Sequence, residues 1–148
     1  MIDEEGMTII IPLEGVLEPD QLGDGYWVGS GNVFYDRGKG KYYLVHRRRD
    51  PDNRGYAIEI YESTDGVDFT LLKTINKGDV NSNSLECPKL IKDPVTGKYY
   101  LFFSTEDATN ARWEIHQYES EDLVNWSKVG VVAYTGEEGT HDLSLIHI

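Results

Sequence analysis

At 148 residues, 39% of them hydrophobic and 27% charged, the chain is long enough to bury a core and ordinary in composition for a soluble domain. Its 26 acidic and 14 basic residues leave a net charge of −12, which argues against nucleic acid or an anionic membrane as the main partner, since both need a positive footprint. A neutral small ligand fits that balance better. Cys87 is the only cysteine, so no internal disulfide can form, and no paired spacing suggests a zinc site, a metal or another cofactor.

The first segment, residues 1–28, reads as a lead-in. Asp3, Glu4 and Glu5 stand ahead of a short Ile9-Ile10-Ile11 run, which lacks the basic flank and apolar length of a signal peptide. No stretch approaches a membrane span. The expectation is a cytoplasmic protein. Asp24 lies in a glycine-flanked loop, and Tyr26 and Trp27 offer an aromatic surface on which a sugar ring could stack or a core could pack.

From there the chain repeats itself. Lys41-Tyr42-Tyr43-Leu44 recurs as Lys98-Tyr99-Tyr100-Leu101, an offset of 57 residues (41 to 98). The same offset carries Asp36 to Asp93, Gly40 to Gly97, Tyr61-Glu62-Ser63 to Tyr118-Glu119-Ser120, Asp65 to Asp122 and aromatic Phe69 to aromatic Trp126. A period of this order marks stacked supersecondary units. The first unit, 29–80, reads as four strands: Asn32 to Asp36, Lys41 to Arg47, Tyr56 to Glu62 and Phe69 to Ile75, with turns at Arg37 to Gly40, Asp50 to Gly55 and Asp65-Gly66. The second, 81–138, gives Lys89 to Lys92, Lys98 to Ser104, Trp113 to Glu119 and Lys128 to Tyr134. No segment keeps a 3.6-residue apolar period.

An all-β chain with four antiparallel strands per repeat predicts propeller blades, sheets set around an axis. A β-sandwich with an internal match is the alternative, although sandwich strands seldom repeat in blocks of four. Two blades do not close a ring. Residues 139–148 open with Gly139-Thr140-His141-Asp142, the start of a third blade. The tail Leu143-Ser144-Leu145-Ile146-His147-Ile148 resembles a translated sequencing-library adapter, and alternation also permits a genuine inner strand there. Unpaired sheet edges would favour self-association, but the sequence leaves the oligomeric state unknown.

Ser120-Glu121-Asp122-Leu123-Val124-Asn125-Trp126 resembles the "S-x-D-L-x-x-W" turn of five-bladed propeller glycosidases of glycoside hydrolase families 32, 43 and 130. Ser63 to Phe69 is its counterpart one blade earlier, and Gly-Lys-Tyr-Tyr-Leu at Gly40 and Gly97 is similar to the second strand of such blades. The resemblance covers about residues 29 to 142. It implies two blades of a five-bladed propeller, an incomplete domain, and a glycosidase acting on oligosaccharides by carboxylate chemistry; a noncatalytic propeller binding carbohydrate or protein is the alternative.

Ligands of propellers meet the innermost strands, which directs attention to the strand entrances. Glu86, in Glu-Cys-Pro, resembles the acid/base glutamate motif of family 32. Its position in the second blade instead matches the Glu-Asp-Pro motif of family 130, where the aspartate is the catalytic acid and this chain has Cys87. Cleaving a glycosidic bond takes two carboxyl groups. Asp142, close to one repeat beyond Glu86, is the second catalytic candidate. A general acid stays protonated near neutrality when apolar surroundings raise its pKa, and Leu85 and Pro88 are the expected walls around Glu86. Substrate-binding candidates are Asn32 at the blade-one entrance, Trp27, His46, His141, and Arg47, which resembles a "Tyr-Arg" position that contacts sugar or phosphate in family 130. Alternation sends Arg47 and Arg49 to one face of their strand and Arg48 to the other. Arg48 and Arg49 beside Asp50 and Asp52 also read as a solvated ion-pair cluster.

Overall fold

The computed structural model describes residues 17–134. Two four-stranded antiparallel sheets follow one another along the chain. The first holds β1 (Trp27–Asp36), β2 (Lys41–Arg49), β3 (Ala57–Ser63) and β4 (Thr70–Asn76) in that order, and the second holds β5 (Ser82–Lys92), β6 (Tyr99–Asp107), β7 (Trp113–Ser120) and β8 (Ser127–Tyr134). A single 3₁₀ turn, Lys77–Val80, leads from the outermost strand of one sheet to the innermost strand of the next. Among the described residues no strand changes sheet, as the crossing connections of a sandwich would require. These are two blades of a propeller.

The two inner strands start earlier than their composition suggests. β1 begins at Trp27 rather than Asn32, and β5 at Ser82 rather than Lys89. Each runs through a bulge, where its register with the second strand shifts between Gly29 and Asn32 in β1 and between Glu86 and Lys89 in β5. These positions are one 57-residue repeat apart. Gly29-Ser30-Gly31 and Glu86-Cys87-Pro88 look like loops because a bulge breaks alternation and tolerates a backbone outside the strand region; Cys87 has φ +47°.

Serine and aspartate close the outer turns. Ser63 Oγ accepts the amides of Asp65 and Gly66 (3.2 and 2.9 Å), and Asp65 Oδ1 accepts those of Val67 and Asp68 (2.8 and 2.9 Å). Ser120 and Asp122 repeat the pattern on Asp122, Leu123, Val124 and Asn125. Amides aimed at the Asp65 carboxylate hold its pKa down at about 2.

One core spans both blades. Tyr43, Val45, Ile58, Ile60 and Ile75 of the first pack with Leu85, Leu90, Tyr99, Leu101 and Phe103 of the second, the inner strand β5 lying against β1, β2 and β3. Polar links stitch the seam beside this apolar contact. Near one end Asp36 accepts Lys92 Nζ at 2.6 Å and Tyr99 Oη at 2.8 Å. Burial pushes the Asp36 carboxyl upward, but these two donors outweigh it and hold the pKa at about 2. Toward the other end the Leu85 amide donates to Gly55 O at 2.9 Å. Gly55 is required there, since a Cβ would lie 2.1 Å from Leu85 O at a φ of +41°.

Candidate active site

Glu86 sits in the β5 bulge, paired across the sheet with Ser104 of β6. The equivalent pair in the first blade is Gly29 with Arg47. At this end of the seam the repeat is therefore broken on both sides: blade one supplies an arginine where blade two has serine, and blade two a glutamate where blade one has glycine. The odd residues meet. Arg47 Nη1 forms an ion pair with Glu86 Oε2, with the two side chains only 20% and 17% exposed. Ser84 Oγ donates to Glu86 Oε1 at 2.9 Å. Both carboxylate oxygens thus accept from a fixed donor, one from each blade.

Of the two expected apolar walls, Leu85 is not one. Leu85 alternates away from Glu86 and lies fully buried in the shared core, so the carboxylate rests between a guanidinium and a hydroxyl. Burial lowers the Arg47 pKa below its ordinary range; nearby Arg49 and Arg54 lower it too, while Cys87 opposes them. Arg54, from the β2–β3 loop that docks on β5, reaches Glu106 Oε2 at 3.5 Å and lies over the Trp113 ring at 5.5 Å. Ser84 and Arg54 carried no motif in the sequence. The Ser-x-Glu spacing was the one available signal for Ser84, since strand residues two apart share a face.

The other candidates divide. Trp27 opens β1, 62% exposed, and is the register partner of Arg49 on β2. Asn32 lies at the bulge, but its side chain is engaged by the neighbouring blade: Nδ2 donates to Leu90 O at 2.9 Å and Oδ1 accepts the Leu90 amide at 2.8 Å. It fastens β1 to β5. His46 is on the opposite face of β2 from Arg47, 3% exposed, stacked on Tyr61 with ring centroids 5.3 Å apart. Its Nε2 is 3.4 Å from Glu59 Oε2 without a hydrogen bond, and burial lowers its pKa. Arg48 shares that face. It is no solvated cation, for its Nε donates to Glu59 at 2.7 Å and its Nη1 to Asp20 and Glu18 O, each at 3.0 Å. His141 and Asp142 lie outside the described residues. Among the described residues no group of three or more His, Cys, Asp or Glu is placed to hold a metal ion.

No protein-family model matches the chain, and no curated protein matches its sequence. Solved structures do match. A family GH32 β-fructofuranosidase from Bombyx mori aligns with a TM-score of 0.57 at 18% identity, over 78% of this chain and 25% of its own. An exo-β-1,3-galactanase from Clostridium thermocellum aligns at 0.54 and 17% identity, over 87% and 25%. An N-acetylgalactosamine deacetylase from F. plautii, solved with a blood group B trisaccharide, aligns at 0.54 and 18% identity, over 73% and 31%. This chain has the fold of two adjacent blades of the propeller found in such carbohydrate-active enzymes, and it spans between 25% and 31% of the length of these three.

Proposed function

We propose that these blades belong to a glycoside hydrolase or phosphorylase acting on oligosaccharides, with Glu86 as the functional carboxylate this chain contributes. The observation that carries the reading is the Glu86 cradle: a carboxylate on an inner-strand bulge, fixed at both oxygens by Ser84 and Arg47, at the position where the first blade has a glycine. A carboxylate held this way is oriented as an acceptor. That suits the nucleophile, base or sugar-hydroxyl-binding roles of two-carboxylate chemistry better than proton donation. Asp142, or a carboxylate on a further inner strand, would be the second group. The galactanase and fructofuranosidase among the structural neighbours support the substrate class.

The test uses a protein in which these two blades are joined to the remaining blades of the propeller. Glu86→Gln is expected to lower kcat on aryl glycosides by at least about 100-fold while the circular dichroism spectrum is unchanged. Undiminished turnover would remove Glu86 from the chemistry. A second reading, a noncatalytic carbohydrate-binding propeller, is favoured by Gly29: of the two bulges described, only one carries a carboxylate. It predicts oligosaccharide binding without turnover in the unsubstituted protein.

A further inference from the structure

The inner strand β5 shifts register against β6 twice, between Ser82 and Ser84 and again between Glu86 and Lys89, whereas β1 shifts against β2 once, between Gly29 and Asn32. The additional irregularity of blade two ends two residues ahead of Glu86, and hydroxyls fill it. Ser82 Oγ accepts the Ser84 amide at 3.1 Å and the hydroxyl of Thr105. With its lone pairs so occupied, its proton is left to two carbonyls, Ser84 O at 2.7 Å and Glu106 O at 3.1 Å. Ser82, Ser84 and Thr105 are all buried.

Strand pairing sorts these groups onto two faces. Leu85 stands opposite Thr105, and Leu85 belongs to the shared core, so the Ser82–Thr105 contact lies on the core side. Ser84 and Glu86 flank Leu85 and leave by the other face. Ser82 Oγ therefore holds both the N–H and the C=O of Ser84, which fixes the two soft dihedrals of that residue and with them the direction of its side chain. Gly55 of blade one closes the far side, where a Cβ would lie 2.7 Å from Ser84 Oγ. The enclosed hydroxyl donates to Glu86 Oε1 at 2.9 Å.

This set is not a general need of the blades. One repeat earlier, Ser82, Ser84, Glu86 and Thr105 correspond to Gly25, Trp27, Gly29 and Arg48. The hydroxyls and the carboxylate are thus present together in one blade and absent together from the other. A buried hydroxyl is costly unless it is bonded, and a position that needed only filling is served by an apolar side chain, as Leu85 serves opposite Thr105.

We propose that Ser82 and Thr105 are positioning residues for Glu86: Thr105 orients the Ser82 hydroxyl, Ser82 fixes the Ser84 backbone, and Ser84 carries that order to Oε1. This rests on the reading of Glu86 as the functional carboxylate and extends its support beyond the two residues that touch it. Arg47 holds Oε2 from the other blade. With the Ser84 donor fixed as well, the carboxylate is held against rotation, the preorganisation that a nucleophile or base needs.

The deciding experiment is a carbon-13 NMR titration of Glu86 in the chain itself, with glutamate labelled at Cδ and Glu86 identified by the signal lost in Glu86→Gln. Donation by Ser84 favours the ionised carboxylate, so Ser84→Ala should raise the titration midpoint by about one pH unit. Ser82→Ala and Thr105→Val are expected to raise it by smaller amounts, and Thr105→Ser should restore the parent value. Ser82→Ala combined with Ser84→Ala should titrate like Ser84→Ala alone, because the effect passes through that hydroxyl. Ser120→Ala removes another buried serine bonded to backbone amides and should leave the midpoint unmoved, which separates positioning from a general loss of stability. Unmoved midpoints in Ser82→Ala and Thr105→Val, with unchanged circular dichroism, would overturn the proposal; should Ser82→Ala fail to fold, the nearly isosteric Thr105→Val decides alone. A Ser82→Ala shift that persists undiminished in the Ser84→Ala background would overturn it too. In the protein carrying the remaining blades, the acid limb of the kcat profile should move with the NMR midpoint. A limb that stayed in place would remove Glu86 from the chemistry and leave the positioning assignment standing.

Discussion

The turn after the third strand and the bulge in the first strand are both repeated one period apart, yet they have diverged very differently. At the turn, Ser63 and Asp65 make the same backbone contacts as Ser120 and Asp122. Even the left-handed position is kept: Gly66 has φ +79° and its equivalent Leu123 φ +70°. At the bulge the backbone irregularity is kept, but its side chains are not: glycine and arginine in one blade, glutamate and serine in the other. Every blade must turn its chain. Only the assembled seam needs a paired carboxylate and guanidinium, so a difference there does not disturb the blade itself.

The largest effect that would probe this contrast lies where the blades lock backbone to backbone. Gly55→Val should cost about 4 kcal/mol or more, because its Cβ meets Leu85 O and N at 2.1 and 2.7 Å and its φ is left-handed. Urea unfolding followed by circular dichroism measures this. Gly78→Ala, which meets nothing within 4 Å, is the near-neutral control. Comparable stability for both variants would mean that the loop at Gly55 is not held against β5.

Next in size is the Asp36 lock at the other end of the seam. Asp36→Asn should cost about 2 kcal/mol, as charge-assisted hydrogen bonds to Lys92 and Tyr99 become neutral ones. The pH dependence follows with a definite sign. The folded pKa, about 2, lies below the ordinary 3.8, so between those values the unfolded chain binds the proton more readily. The stabilisation is complete above about pH 4 and is lost as pH falls toward 2. Asp65 acts in the same window and direction. Urea midpoints measured across that range should therefore fall less steeply in Asp36→Asn than in the parent chain; parallel curves would show that the lock adds nothing.

The strand cores and outer turns were legible in the sequence because each depends on neighbours in the chain. Lys41 to Leu44 and its repeat alternate as a strand should, and Ser63 to Asp68 carries its own amide-binding side chains. The inner-strand starts were not legible, since Gly29 to Gly31 and Glu86 to Pro88 have the composition of loops and are held in the sheet by pairing with distant strands. The site follows the same division. Glu86 stood out through its motif, whereas its contact with Arg47 depends on how one sheet lies on the next, which no local pattern encodes. Asn32 illustrates the reverse error: a polar residue at an inner-strand entrance suits a sugar contact, but here its amide completes hydrogen bonds with the backbone at Leu90.

The smallest effects should come from the turns, and their value lies in being equal. Ser63 and Ser120 are both buried, at 4% and 5% exposure, and each hydroxyl serves two amides. Replacing either by alanine should cost about 1 kcal/mol, read as matching shifts of the urea midpoint. The double variant should lose the sum, because the turns belong to separate sheets and share no hydrogen-bond partner. A much larger loss at Ser120 would show that the second turn also supports packing: Leu123, adjoining it, is in the shared core, while Gly66 at the matching position has no side chain to contribute. In that case the apparent conservation of the turn would conceal a second function, and the contrast with the bulge would be one of degree.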